Sequence, residues 1–198
     1  MYGAIKRGGD FLFSCIGFFI LAPLLLILAI GVKLDSPGPV LFRQKRVGIH
    51  KKHFYILKFR TMVKDAPDNV PTHLQKESQN QVTRLGKILR RTSLDELPQI
   101  INIIRGDMAI VGPRPALWNQ EDLITERDKY GANDVRPGLT GWAQINGRDE
   151  LDIYQKAGLD GEYVKKMGPV MDMRCFFRTF VKVLRADGVR ESGTQRKG

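Results

Sequence analysis

Between Phe11 and Val32 the chain carries no charged residue, and most positions are large and apolar. That length matches the roughly 20 residues a helix needs to cross a bilayer. No small-residue cleavage site follows, so a secretory signal peptide fits less well. Pro23 sits in the middle of the segment, where it lacks a backbone donor and frees the carbonyl of Phe19. Basic residues flank both ends: Lys6 and Arg7 before, Lys33, Arg43, Lys45 and Arg46 after. With both flanks basic, the positive-inside rule selects no orientation. Two arrangements satisfy the pattern: a proline-kinked spanning helix, or a helix broken at Pro23 that enters and leaves by one leaflet.

Beyond this segment the apolar periods shorten and no repeat is present. Val40 to Gln44 and Phe54 to Arg60 are strand-like and flank Lys45 to His53, which contains Gly48. This predicts a short hairpin with a basic tip. The stretch from Asp65 to Gln81 is polar, holds Pro67 and Pro71, and reads as a loop or lid. Thr83 to Arg91 predicts a short helix. Another is expected to begin near Leu94, burying Leu97, Ile100, Ile101 and Ile104 on one side. Near the C-terminus Arg174, Arg178, Lys182 and Arg185 recur at helical spacing. Met173, Phe176, Phe177, Phe180, Val181 and Leu184 take the other faces. Such a helix either lies in a lipid interface, its basic stripe near phosphate head groups, or packs its phenylalanines on its own core. The tail beyond Gly188 is small, polar and basic, which predicts disorder.

Charge narrows the choice of partner. The 198 residues carry a net charge of +11, which calls for nucleic acid, a phosphorylated ligand or anionic lipid. Arg43, Lys45, Arg46, Lys51, Lys52, Lys58 and Arg60 concentrate that charge on the hairpin. Cys15 and Cys175 are far apart and near no histidine pair, which argues against a disulfide framework or zinc site and for a reducing compartment. His50, His53 and His73 lack ligand partners for a metal.

Residues Arg90 to Gln99 hold the candidate chemistry. Asp95 and Glu96 follow two arginines and would open the helix near Leu94, where the dipole favours ionised carboxylates. Carboxylates beside arginines suit magnesium, a phosphate or a carboxylate nucleophile. Ser93 with Glu96 also fits a capping box, and Pro98 is tolerable that early in a helix. Capping explains neither Asp95 nor Arg90. Two glycine-proline loops follow. Pro113 and Pro115 restrain the backbone around Arg114, which suits a guanidinium that must meet a phosphate. The second loop, Val135 to Arg148, carries Arg136 and Trp142; its glycines allow close approach, and Trp142 could pack under a base or sugar.

The order of these features resembles the small monotopic phosphoglycosyl transferases, the minimal core of the bacterial sugar transferase superfamily, from about Lys6 to Asp187. The resemblance is carried by the proline-interrupted N-terminal segment, Ser36-Pro-Gly-Pro39, Lys58-Phe-Arg-Thr-Met62, Ser93-Leu-Asp-Glu-Leu-Pro-Gln99 and Gly106-Asp-Met108. It continues through Val111-Gly-Pro-Arg-Pro115, Arg136-Pro-Gly138 and Gly141-Trp-Ala-Gln-Ile-Asn-Gly-Arg148. It implies an α+β, mostly helical, single membrane-associated domain: a proline-broken re-entrant helix over residues 1–35, a catalytic body over 36–187 with a short β-hairpin and interfacial amphipathic helices, and a tail over 188–198. It implies transfer of a sugar 1-phosphate from a UDP-sugar to undecaprenyl phosphate at the cytoplasmic face of the bacterial inner membrane, with release of UMP, as the first membrane step of a surface glycan.

By the same resemblance, Asp95 is the nucleophile of a ping-pong reaction and helps hold Mg2+. Glu96 assists the second half-reaction, and Arg90 and Arg114 match phosphate-contacting arginines of the family; Lys58 and Arg136 are expected to bind substrate phosphates beside them. Pro23, preceded by Ala22, breaks the membrane helix. A homodimer is compatible with the family, and no nucleic acid is expected. Ala22 and Ala109 stand where serine is common in the family, and Ala22 removes a hydroxyl that could satisfy a freed carbonyl. The opposing class, a basic membrane-anchored binding module without chemistry, leaves Asp95, Glu96 and the rigid Arg114 loop unexplained.

Overall fold

The computed structural model describes residues 2–63, 81–147 and 151–185. Residues 64–80 (the polar stretch up to Gln81, with His73), Arg148 and the tail beyond Gly188 lie outside the described residues. The first helix, α1 (Tyr2–Asp35), contains the whole apolar segment. The expected break at Pro23 does not interrupt it: residues on both sides stay helical. One proline forfeits a single hydrogen bond, which the adjoining turns can absorb. Ala22 is partly covered, and Pro23 faces outward.

One stripe of α1 packs on the body, and the opposite stripe, including Phe19, Ile20, Leu26 and Ile27, is exposed and apolar. Both ends are fastened. Near the start, Lys6 Nζ and Tyr2 Oη donate to Asp172 Oδ2 at 2.6 and 2.7 Å. Near the end, Val32 is buried with Phe59 and Leu89. Arg60 then clamps the exit: its Nη2 donates to Ser36 O and Oγ at 2.6 and 2.9 Å, and its Nη1 to Pro39 O. Arg60 is therefore a structural cation of the basic hairpin.

Strands β1 (Leu41–Val47) and β2 (His53–Phe59) pair antiparallel, with Gln44 opposite Ile56 and Arg46 opposite Phe54. The strand runs through Lys45 and Arg46, which the sequence reading placed in the tip. The turn itself is a short 3-10 segment at Ile49–Lys51, where His50 and Lys51 meet Asp134 and Asp128. Helix α2 (Arg84–Thr92) is capped by Thr83, whose hydroxyl accepts from Gly86 N. It agrees with the expected helix at that place.

Helix α3 (Gln99–Arg105) begins five residues later than expected. Ser93 adopts the left-handed region (φ 57°, ψ 16°) and closes α2. An N-cap needs extended backbone, so Ser93 forms no capping box, and Asp95 and Glu96 lie in a 3-10 turn ahead of α3. Gln99, Asn102 and Ile103 are the buried residues of α3, while Leu97, Ile100, Ile101 and Ile104 are only partly covered.

Buried Asn102 seats α3 on β2 by strand-like bonds: its Oδ1 accepts from Leu57 N at 3.0 Å and its Nδ2 donates to Tyr55 O at 2.8 Å. Each such bond contributes about 1 kcal/mol net. Gly106 (φ 92°) ends α3 in a conformation glycine adopts without strain. The Arg7 guanidinium of α1 caps the carbonyls of Ile103 and Ile104 at 2.7 and 2.9 Å.

Strands β3 (Ala109–Val111) and β4 (Gly138–Thr140) pair in parallel. A Cβ on Gly138 would meet the backbone nitrogen of Gly112 at 2.1 Å. The glycines of both loops thus serve strand packing. Helices α4 (Glu121–Asp128), α5 (Trp142–Asn146), α6 (Ile153–Lys166) and α7 (Pro169–Arg185) complete the described body. A buried ion pair, Arg127 to Asp160 at 2.6 Å, ties α4 to α6. The inner side of α7 buries Met171 and Cys175 beside Trp142 and Tyr163. Phe176, Phe177 and Phe180 are 41%, 58% and 61% exposed, so they do not pack on the core.

Candidate active site

Four pieces of chain converge around the acidic pair. The left-handed turn at Ser93 reverses the chain after α2, so Arg90 and the 3-10 turn of Asp95 and Glu96 come together. Seating α3 on β2 brings that turn to Lys58. Strand β1 supplies Arg46 and Gln44 from the face that carries Lys58, and the loop after β3 supplies Arg114.

The two carboxylates are held differently. Glu96 Oε1 accepts from Lys58 Nζ at 2.7 Å and from Arg114 Nη2 at 3.1 Å. Asp95 is 9% exposed, yet its carboxylate takes no hydrogen bond from the described residues. Burial pushes the Asp95 carboxyl up, and the Glu96 charge adds to this; Lys58, Arg90 and Arg114 pull it back. Arg90 donates from Nε to Thr61 Oγ1 at 2.8 Å, and burial lowers its pKa while Asp95 opposes the shift. Arg46 is pushed down to about 9, chiefly by burial and then by repulsion from Arg114, with Glu96 opposing. Lys58, Arg46, Arg90 and Arg114 outnumber the two carboxylates. Such a site attracts a further anion and can stabilise negative charge that develops on it.

Asp95, Glu96, Lys58, Arg90 and Arg114 therefore meet as the sequence suggested. Arg136 does not join them. Its Nε donates to Gly106 O at 3.0 Å, at the opposite end of α3, because β4 follows β3 and directs this loop to the C-terminus of that helix. Trp142 does not join them either: it is buried in the core and its Nε1 donates to Glu162 Oε2 at 2.8 Å. Arg46, Gln44 and Thr61 are the residues that sequence reasoning missed. Extending β1 by two residues would have found Arg46, since strand alternation puts it on the face of Gln44 and Lys58.

No group of three or more His, Cys, Asp or Glu side chains that could hold a metal occurs among the described residues. Magnesium does not require one. It keeps several waters and commonly binds through one or two carboxylates together with substrate phosphates. A carboxylate that takes no hydrogen bond from the described residues, as at Asp95, beside cations that suit phosphate, fits that mode.

Residues 1–186 match the model of the family described as Bacterial sugar transferase. A relative from Escherichia coli (strain K12), named UDP-glucose:undecaprenyl-phosphate glucose-1-phosphate transferase, is 41% identical over 185 residues, covering 90% of this chain and 40% of the relative. One from Aeromonas hydrophila is named UDP-N-acetylgalactosamine-undecaprenyl-phosphate N-acetylgalactosaminephosphotransferase. It is 36% identical over 198 residues, covering 96% of this chain and 46% of the relative. The Exopolysaccharide production protein PSS of Rhizobium leguminosarum bv. phaseoli is 41% identical over 192 residues, covering 91% of this chain and 95% of the relative. The chain thus spans less than half the length of the first two and nearly all of the third.

Proposed function

Because the chain belongs to the bacterial sugar transferase family, we propose that it transfers a sugar 1-phosphate from a UDP-sugar to undecaprenyl phosphate and releases UMP. The observation that carries the mechanism is the unequal treatment of the two carboxylates. Glu96 is engaged by two cations, whereas the Asp95 oxygens accept from none of the described residues. Asp95 attacks the sugar-linked phosphorus of the donor, a phosphorus–oxygen bond breaks, and UMP leaves with the bonding pair. The sugar phosphate is then an acyl phosphate on Asp95. A phosphate oxygen of undecaprenyl phosphate attacks that phosphorus next, and the Asp95 carboxylate departs unchanged. Splitting the transfer in this way lets two dissimilar substrates use one site in turn.

Lys58, Arg90 and Arg114 bind and neutralise the diphosphate, and Glu96 keeps Lys58 and Arg114 in place and assists the lipid acceptor. Asp95 would hold magnesium together with the donor's diphosphate, and the ion would supply further charge neutralisation when bound. The test is intact-protein mass measurement after incubation with magnesium and each of a panel of UDP-sugars, without lipid, while UMP is followed in parallel. A sugar-phosphate mass increment together with UMP is the expected result. A panel that yields neither, in the presence or absence of undecaprenyl phosphate, would sink the reading.

The membrane seat is proposed on the same footing. Both ends of α1 are fastened to one body, while its outer stripe and the phenylalanines of α7 are exposed and apolar. A helix that crossed the bilayer would carry one end away from the body. We therefore place the protein in one leaflet at the cytoplasmic face of the bacterial inner membrane. Arg174 and Arg178 of α7, both exposed, suit lipid phosphates there. Gly3 has open space around a would-be Cβ and Leu34 is exposed, so both accept a reporter. In a background without Cys15 and Cys175, Gly3→Cys and Leu34→Cys should react with an impermeant maleimide from the same side of the membrane. Labelling from opposite sides would establish a spanning helix instead.

A further inference from the structure

Arg46 stands beside the dyad yet donates to neither carboxylate. Its Nε and Nη2 share Gln44 Oε1 at 3.1 and 2.5 Å, and its Nη1 reaches Pro115 O at 3.0 Å. The same end of β1 grips the following residues through Val47 N to Ala116 O at 2.9 Å and a bridge between Arg46 and Leu117. Of these ties, the guanidinium bond lies nearest Arg114. The Arg114 side chain is 34% exposed, so packing alone does not fix its long rotamer-rich stem. Its aim toward Glu96 depends on where the backbone between Pro113 and Pro115 is held.

A neutral side chain could anchor Pro115 O equally well. The chain instead places a second, buried guanidinium close enough to Arg114 that, after burial, repulsion from Arg114 lowers the Arg46 pKa further. That arrangement is unfavourable without a ligand and favourable when a dianionic group enters between the two cations. We propose that Arg46 is a positioning residue for the transfer: by holding Pro115 it sets Arg114 against Glu96 and readies the pair for the donor's diphosphate. This rests on the transferase reading of the site.

The test is a double-mutant cycle on the full chain in detergent, with Arg46→Lys, Arg114→Ala and the double variant. Lysine keeps the charge but loses the chelate to Gln44 and the fixed bond to Pro115. Arg46→Lys should lower kcat/KM for UMP release by about 10- to 100-fold. If Arg46 acts through Arg114, the double variant falls no more than about threefold below Arg114→Ala alone. Losses that multiply, or an Arg46→Lys variant of full activity, overturn the proposal. A residue that merely stabilises the fold would lower the melting temperature without this coupling. Should Arg46→Lys not fold, Gln44→Met frees the same guanidinium from its other side and should show a smaller loss with the same coupling.

A second readout separates this idea from the transferase reading. Inorganic pyrophosphate should raise the melting temperature of the native protein, and the increment should vanish in Arg46→Lys and in Arg114→Ala. If no UDP-sugar releases UMP but that pattern holds, the reading of the reaction fails, and what stands is the placement of Arg114 by Arg46 for a diphosphate group. A pyrophosphate increment retained in Arg46→Lys, or absent from the native protein, overturns the positioning role.

Discussion

Asp95→Asn is expected to give no sugar-phosphate adduct and no UMP above background with any UDP-sugar, a loss of about 10⁴-fold or more. The substitution is nearly isosteric, and the Asp95 oxygens accept from none of the described residues, so no described hydrogen bond is broken. What disappears is the anionic oxygen that, in the proposed transfer, forms the bond to phosphorus, for which an amide is no substitute. Lys58, Glu96 and Arg114 keep their mutual contacts, so donor binding survives.

The fold should not suffer. Burial raises the Asp95 carboxyl above its unfolded value. Ionisation of this group therefore costs stability at neutral pH, a cost relieved only as pH falls through the raised folded value. Asparagine removes that cost, so the variant should melt at or above the native temperature. The same shift sets the acid limb of adduct formation in the native protein. Because the proposed nucleophile must be ionised, that limb should lie at higher pH than for an ordinary aspartate. Turnover by a correctly folded Asp95→Asn protein would refute the nucleophile assignment.

Much of this site was legible because its signals are local. Thr83 and the apolar periods around it announced α2, and the arginines before Asp95 and Glu96 announced a charged turn. Pro113 and Pro115 marked Arg114 as constrained. The errors arose where one residue had two possible neighbours. Ser93 satisfies the sequence rule for opening a helix, but its backbone is already committed to closing α2, and the helix start moves to Gln99. Arg46 looked like part of a basic tip because three cations interrupt the strand alternation at residues 43, 45 and 46. Pairing with β2 shows the strand continuing through it.

Arg136 and Trp142 failed for another reason. Glycine-rich loops read alike whether they approach a ligand or another strand, and here Gly112, Gly138 and Gly141 approach each other's backbone. The long-range pairing of β3 with β4, across 26 intervening residues from Val111 to Gly138, has no local signature. Neither does the return of both ends of α1 to the body. Hydropathy identifies an apolar helix of sufficient length, whereas the Asp172 and Arg60 contacts that fasten its ends come from residues far away in sequence.

Glu96→Gln should fail in a different half of the reaction, and that contrast tests the division of labour in the dyad. The glutamine carbonyl can still accept from Lys58 and Arg114 in the geometry that Glu96 Oε1 uses, so the cations proposed to receive the diphosphate stay in position. The Asp95 carboxylate is also relieved of a neighbouring negative charge, a contribution that raises its pKa in the native protein. Both effects preserve attack on the donor, and the adduct should form. The acceptor phosphate lacks that help: without the Glu96 carboxylate, no other carboxylate among the described residues acts beside Asp95 to assist it. Discharge to undecaprenyl phosphate should slow by about 10²- to 10³-fold, within the usual contribution of a positioned acid or base. Mass measurement with magnesium and the active UDP-sugar should then show the adduct persisting after lipid is added, where the native protein clears it. An adduct that fails to form in Glu96→Gln would mean that the carboxylate acts mainly by organising Lys58 and Arg114. An adduct discharged at the native rate would remove Glu96 from the second step.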